Sequence, residues 1–155
     1  MIGQTIWRCV GNCRDKHICS LSGEYLTQNV VYQARVESPK GKETYIRLIA
    51  NQFKIRFSNH TASFRNEDKR NATELSKHIW SLKEKFAVTW KIMARAIPYS
   101  NVTKKCSLCI TEKFFIICKL GASTVNKTNA LASACRHTSK YLIKHAWTIS
   151  LWKEP

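Results

Sequence analysis

Five side chains do not suit the apolar patterns in which they sit. Tyr32 and Tyr45 lie in two β-rich runs, VVYQARV and TYIRLI, joined by the turn-forming stretch Ser38-Pro39-Lys40-Gly41-Lys42. Further on, Phe53, Phe57, His60 and Phe64 recur at i, i+4, i+7 and i+11, the spacing of one helical face. His60 interrupts that aromatic stripe, and Arg56 stands one turn before it, within side-chain reach. A histidine in such a stripe is most often a satisfied core group. An arginine at the border of a buried face needs an anionic partner or an exit to water. The fifth side chain is Glu112, the one acid in TKKCSLCITEKFFIICK, on the same helical face as Leu108 and Phe115. A carboxylate on an apolar face must be paired, protonated or bound to a metal. Lys113 or Lys105 would be the simplest partner. Together these groups can clamp an anion, move a proton and hold a cation.

The elements that must position them can be read from periodicity. Period-2 patterning places strands over about 29–36, 43–49 and 87–94. In the last of these Phe86, Val88, Trp90 and Ile92 alternate with Thr89 and Lys91. Helical stripes fall over about 52–65, 73–83 and 104–118. Asn71 or Thr73 would cap the second helix, whose buried stripe is Leu75, Ile79 and Leu82. Thr103 would cap the third. RNEDKRN, between the first two helices, is a charged loop. The expected fold is therefore α+β, a small antiparallel three-stranded sheet flanked by helices. Strand phase raises a question. Tyr32 shares its face with Val30, Ala34 and Val36, whereas Tyr45 points opposite to Ile46 and Leu48. If both apolar sets face one core, the tyrosines fall on different faces unless a bulge near the turn reunites them.

The charge is unusual. The 155 residues hold 26 Lys and Arg against 10 Asp and Glu, a formal net charge of +16. An excess spread along the whole chain suits a polyanion, and DNA is the expected partner. No apolar run approaches the roughly 20 residues of a membrane helix, so no membrane partner is expected. The beginning has no signal-peptide pattern, which points to an intracellular, nuclear setting and gives the Asn59, Asn71, Asn101 and Asn126 sequons little weight. The 7 cysteines form two groups, Cys9, Cys13 and Cys19, then Cys106, Cys109, Cys118 and Cys135. An odd count argues against a secreted disulfide framework. Cys106-x-x-Cys109 has metal-ligand spacing, but on a helix two such thiols share a face and read as buried side chains.

Taken in order, these residues resemble the GIY-YIG nuclease family. A hairpin carries two tyrosine-bearing tripeptides, here Val30-Val31-Tyr32 and Tyr45-Ile46-Arg47, and the next helix carries Phe53-x-x-Arg56-x-x-x-His60. The form found at the C-terminal end of certain retroelement polyproteins also shows runs like ATELSKHIWSLK, CSLC-x-x-EKFFIIC and CRH. The resemblance covers roughly residues 9 to 142. It implies a cysteine-containing segment over 1–28, a nuclease domain over 29–137 and a tail over 138–155. It also implies that the chain is a detached piece of such an element.

The resemblance implies metal-dependent DNA cleavage. Phosphodiester hydrolysis builds charge on the nonbridging oxygens and on the leaving 3′ oxygen. A hard cation, Mg²⁺ or Mn²⁺, held by Glu112 and waters would offset it. Arg56 would clamp the phosphate. Tyr32 would abstract the proton from water, its pKa lowered by Arg56 and the cation. Tyr45 would orient water or phosphate, and His60 would assist proton transfer. Asn126 or Asn129 would stand near the site. Cys9, Cys13 and Cys19 resemble a zinc knuckle, with His17 as a fourth ligand, although Tyr25 stands where the pattern has a cysteine. Two further departures are Val30 and Arg47, each where the family has glycine. Two other readings stay open: a DNA-binding relic that does not cut, and a basic structural or interaction protein.

Overall fold

Val30–Ser38 (β1) and Gly41–Ile49 (β2) form an antiparallel hairpin closed by Pro39 and Lys40, with Ser38 opposite Gly41. Gly41 has φ 143°, a backbone angle that residues with a Cβ rarely adopt. Ala87–Arg95 (β3) pairs with the other side of β1, giving the order β2-β1-β3 with every neighbour antiparallel. The helices are Phe53–Arg65 (α1), Glu74–Ser81 (α2) and Ser107–Ile117 (α3). This computed structural model describes residues 23–126 apart from 83, 104–105 and 120–122. The chain is thus α+β, a small three-stranded antiparallel sheet with three helices among the described residues.

The sheet is covered on both faces. Val30, Tyr32, Ala34, Val36, Tyr45 and Trp90 pack with Phe53 and Phe64 of α1 and with Leu75 and Ile79 of α2. On the opposite face Val31 and Ile46 pack with Leu108, Cys109 and Phe115 of α3. This resolves the question of strand phase. Ala34 lies opposite Tyr45 and Tyr32 opposite Arg47, so the tyrosines share a face. The two apolar sets serve two cores, and no bulge at the turn is needed. The irregularity lies elsewhere, between Val31 and Tyr32 against β3. Val31 pairs with Ala94 and Tyr32 with Ile92, so Met93 is the extra residue, and it joins Ala94 on the α3 face.

Local chemistry sets the helix ends. Thr73 rather than Asn71 caps α2. Its Oγ1 accepts from Ser76 N at 3.0 Å, while Ser76 Oγ accepts from Thr73 N at 2.8 Å. Thr73→Ala should therefore cost about 1 kcal/mol in urea unfolding. Thr103 does not cap α3. That helix begins after Cys106, without a side-chain cap, because Leu108 N donates to Ile97 O at 3.0 Å and thereby ties the helix start to the chain leaving β3. Within the charged loop, Glu67–Lys69 forms a 3-10 turn capped by Asn66. No described helix is long and apolar enough to cross a membrane. The 1–28 segment up to residue 22 and the 138–155 tail lie outside the described residues.

Candidate active site

β2 is an edge strand, and its outward N–H and C=O groups need partners from beyond the sheet. Side chains and backbone from later in the chain supply them. Thr44 N donates to Thr124 Oγ1 at 2.8 Å, and Thr124 N and Val125 N both donate to Thr44 O. Ile46 N donates to Asn126 Oδ1 at 2.7 Å, and Asn126 Nδ2 donates back to Ile46 O at 2.9 Å. Ser123 Oγ in turn donates to Asn126 Oδ1. Next along the strand, Leu48 N donates to Glu112 Oε1 at 3.1 Å. Glu112, carried by α3, thus lies at the border of β2 where the two faces of the sheet meet. Asn126 is the asparagine on this edge, while Asn129 lies outside the described residues.

On the α1 face, Tyr32 Oη is the hub. It lies 2.9 Å from His60 Nε2 and accepts from Arg56 Nε at 3.2 Å. The helical stripe explains the placement: Phe53 and Phe64 anchor α1 on the sheet, which turns His60 inward and leaves Arg56 on the rim. The Tyr32 ring meets Phe53 edge-on at 5.0 Å and lies 6.0 Å from Trp90. Tyr45 presents its ring to His60 from the other side, at 6.0 Å.

Burial governs the electrostatics. It pushes the Tyr32 phenol well above its ordinary value. Tyr45 adds to the rise and Arg56 opposes it. Tyr45 is raised by the same desolvation against the pull of Arg47 and Arg56. His60 is lowered to about 3, by burial first and then by the charges of Arg56 and Arg47. For Arg56, burial alone would lower the pKa, but Tyr32, Tyr45 and Glu112 outweigh it and the net shift is upward. Glu112 is raised by burial, with Arg47 and the Leu48 N–H resisting. A neutral imidazole beside a neutral phenol defines the hydrogen bond. Arg56 donates to Tyr32 Oη, and in the Nδ1–H tautomer the phenol donates to His60 Nε2.

The sequence expectation fits this geometry in part. Tyr32, Tyr45, Arg56 and His60 meet on one face, and Glu112 lies close enough for its charge to act on Tyr45 and Arg56. The cluster is not open to solvent as expected. Tyr32, Tyr45, His60 and Glu112 are all 2 % exposed or less. Nor is the net shift of Tyr32 downward, because desolvation outweighs the lowering by Arg56. A cleft of about 250 Å³, lined by Arg56, Asn59, His60, Ser63, Lys69 and Thr73, reaches the arginine and the imidazole of the cluster. Asn59, noted in the sequence only as a sequon, and Lys69, noted only within the charged loop, were not read there as site residues. Their signal is weak, since one is a polar residue on an exposed turn and the other a lysine in a charged loop.

Lys113 acts on Glu112 by its charge, behind Arg47, and Lys105 lies outside the described residues. The ionic partner of Glu112 is Arg47, whose Nη1 stands 3.7 Å from Glu112 Oε1. The residues present therefore do not fit a divalent cation as they stand, because the carboxylate that would hold one already faces a guanidinium. Among the described residues no three His, Cys, Asp or Glu gather into a metal cluster. Cys106 and Cys109 are buried side chains, as expected, and Cys106 Sγ donates to Cys109 Sγ at 3.1 Å. Cys9, Cys13, Cys19 and His17, the zinc candidates, lie outside the described residues, as does Cys135. Tyr25, where a fourth cysteine would stand, packs edge-on against Phe57 at 5.2 Å. No protein-family model, curated protein or solved structure matches the chain.

The depressed His60 sets a pH dependence. The unfolded imidazole protonates below its ordinary 6.5, whereas the folded one stays neutral down to about 3. The unfolded state therefore binds more protons in that window, and stability falls as pH drops through it. Glu112, raised in the fold above its ordinary 4.5, acts in the opposite sense from that value upward. Denaturant unfolding of wild type and His60→Phe between these limits isolates the histidine. The wild type should lose stability more steeply, and equal slopes would contradict a neutral buried His60.

Proposed function

We propose that the chain is a DNA endonuclease domain of the GIY-YIG type, of the form carried by retroelement polyproteins, with the phosphodiester as its substrate. The observation that carries this reading is the junction of Arg56, Tyr32 and His60 at one phenol oxygen, with Tyr45 and Glu112 beside it. A core needs no such junction. An arginine on the rim beside a buried phenol is placed to meet an anion that enters the cleft.

The chain's own groups account for binding and proton movement. A phosphate entering the cleft meets Arg56, whose planar fork matches its oxygens. Its negative charge offsets the guanidinium that helps hold His60 down, so the imidazole becomes a better proton acceptor. The attacking water gives its proton to Tyr32 Oη while the phenol passes its own to His60 Nε2. The bond from phosphorus to the 3′ oxygen breaks, leaving a 3′-hydroxyl, protonated from solvent, and a 5′-phosphate. The resemblance implies Mg²⁺ or Mn²⁺ on Glu112 to offset charge on the phosphate oxygens, but with Arg47 against that carboxylate no step here runs through a metal. Cleavage of an end-labelled duplex tests the reading. Fragments ending in 3′-hydroxyl and 5′-phosphate support it, and an intact duplex at saturating protein counts against it.

Duplex binding should be chiefly electrostatic, given the net charge of +16. If about six phosphates are neutralised, affinity should fall roughly 10³-fold between about 50 and 200 mM salt. Fluorescence anisotropy of a labelled duplex gives the slope, and a flat one would contradict the assignment.

A further inference from the structure

Arg47 is the residue that the nuclease reading does not absorb. It lies on β2 directly opposite Tyr32 and on the same face. Its side chain is about a quarter exposed, at 27 %, while that of Glu112 is 2 % exposed. Its guanidinium is 3.7 Å from Glu112 Oε1. Its charge also acts on Tyr32, Tyr45 and His60. One positive group therefore serves the carboxylate and both phenols at once. That is the electrostatic place a divalent cation would take if Glu112 held it.

We infer that Arg47 is a tethered cation that fills the metal position of this site, so a divalent ion reaches Glu112 only when the guanidinium leaves. A buried carboxylate cannot stay ionised without a positive partner, and Arg47 meets that need. Two cations on one enclosed carboxylate repel, and removing the first raises the affinity for the second. The part-exposed position of Arg47 lets the side chain swing to solvent, where its charge is cheap to hydrate. Glu112 itself is fixed by the Leu48 N–H and does not need to move. The inference rests on the nuclease reading only for the kind of cation expected.

Mn²⁺ is the probe, followed by the electron paramagnetic resonance of the free ion, with the full chain and no DNA. Arg47→Met removes the charge and keeps an apolar stem on the strand. Arg47→Lys keeps a charge. Arg47→Met should bind one Mn²⁺ about tenfold or more tightly than wild type, the scale set by a single close charge at a protein-like dielectric. The gain should vanish in Arg47→Met/Glu112→Gln, and Arg47→Lys should stay near wild type. Near-ultraviolet circular dichroism confirms that each variant keeps its packed aromatic face. Equal Mn²⁺ affinity in wild type and Arg47→Met would overturn the inference, as would a gain that survives Glu112→Gln. Metal binding is read apart from cleavage, so an Arg47→Met protein that binds Mn²⁺ yet cuts nothing would sink the nuclease reading alone.

Discussion

Tyr32→Phe should abolish DNA cleavage and leave duplex binding almost unchanged. The phenol oxygen is the single atom that joins Arg56 to His60. Phenylalanine keeps the ring against Phe53 and Trp90 but leaves water without a proton acceptor. General acid–base groups of this kind contribute about 10²- to 10⁴-fold in rate. The structural side effect should be tolerable. An imidazole nitrogen and a guanidinium lose a partner, at about 1–3 kcal/mol, against a typical domain stability of about 5–15 kcal/mol. On the proposed reading lysines and arginines would supply the binding, so the anisotropy titration should shift little. Single-turnover cleavage and binding, measured on the same preparation, separate the two effects. Equal loss of both would assign Tyr32 to folding.

Arg56→Ala should slow cleavage by about 2–4 kcal/mol in transition-state terms, the range seen when one donor to a developing oxyanion is removed. It should also lower the salt slope of binding by about one, since one phosphate contact is lost. Arg56 is the group of the cluster that also lines the cleft with His60, so it is the one a phosphate meets first. Arg56→Lys should recover charge but not the fork, and hence binding more than rate. If Arg56→Ala weakens binding while the rate at saturating duplex is unchanged, Arg56 only helps to hold the substrate.

Much of this was legible in the sequence for a physical reason. Strands over VVYQARV, TYIRLI and AVTWKIM alternate cleanly, and Phe53, His60 and Phe64 keep helical spacing, so these elements and their buried faces follow from periodicity. Period alone did not say how many cores exist. Tyr45 and Ile46 are both buried because the sheet has a helix layer on each side, and alternation reads the same in a strand with one solvated face. The start of α3 was misplaced because the Ile97 carbonyl, a tertiary partner, replaces the local cap that Thr103 seemed to offer. Pairings across the fold were also hidden. Asn126 on the Ile46 backbone spans 80 residues, and Glu112 on the Leu48 N–H spans 64. Arg47 was visible as bulk and charge in place of glycine. That its charge would settle on Glu112 required the edge of β2, the point at which α3 meets the α1 face.

If Tyr32, Arg56 and His60 form a phosphodiester-cleaving site, as proposed, supercoiled plasmid should be nicked. Wild type, Arg47→Met and Tyr32→Phe are incubated at saturating Mn²⁺, and the loss of supercoiled DNA to open circles is followed over time. The account predicts nicking by the wild type, faster nicking by Arg47→Met, and none by Tyr32→Phe. Nicking by Tyr32→Phe at the wild-type rate, or none by any of the three proteins while all bind the plasmid, would contradict it.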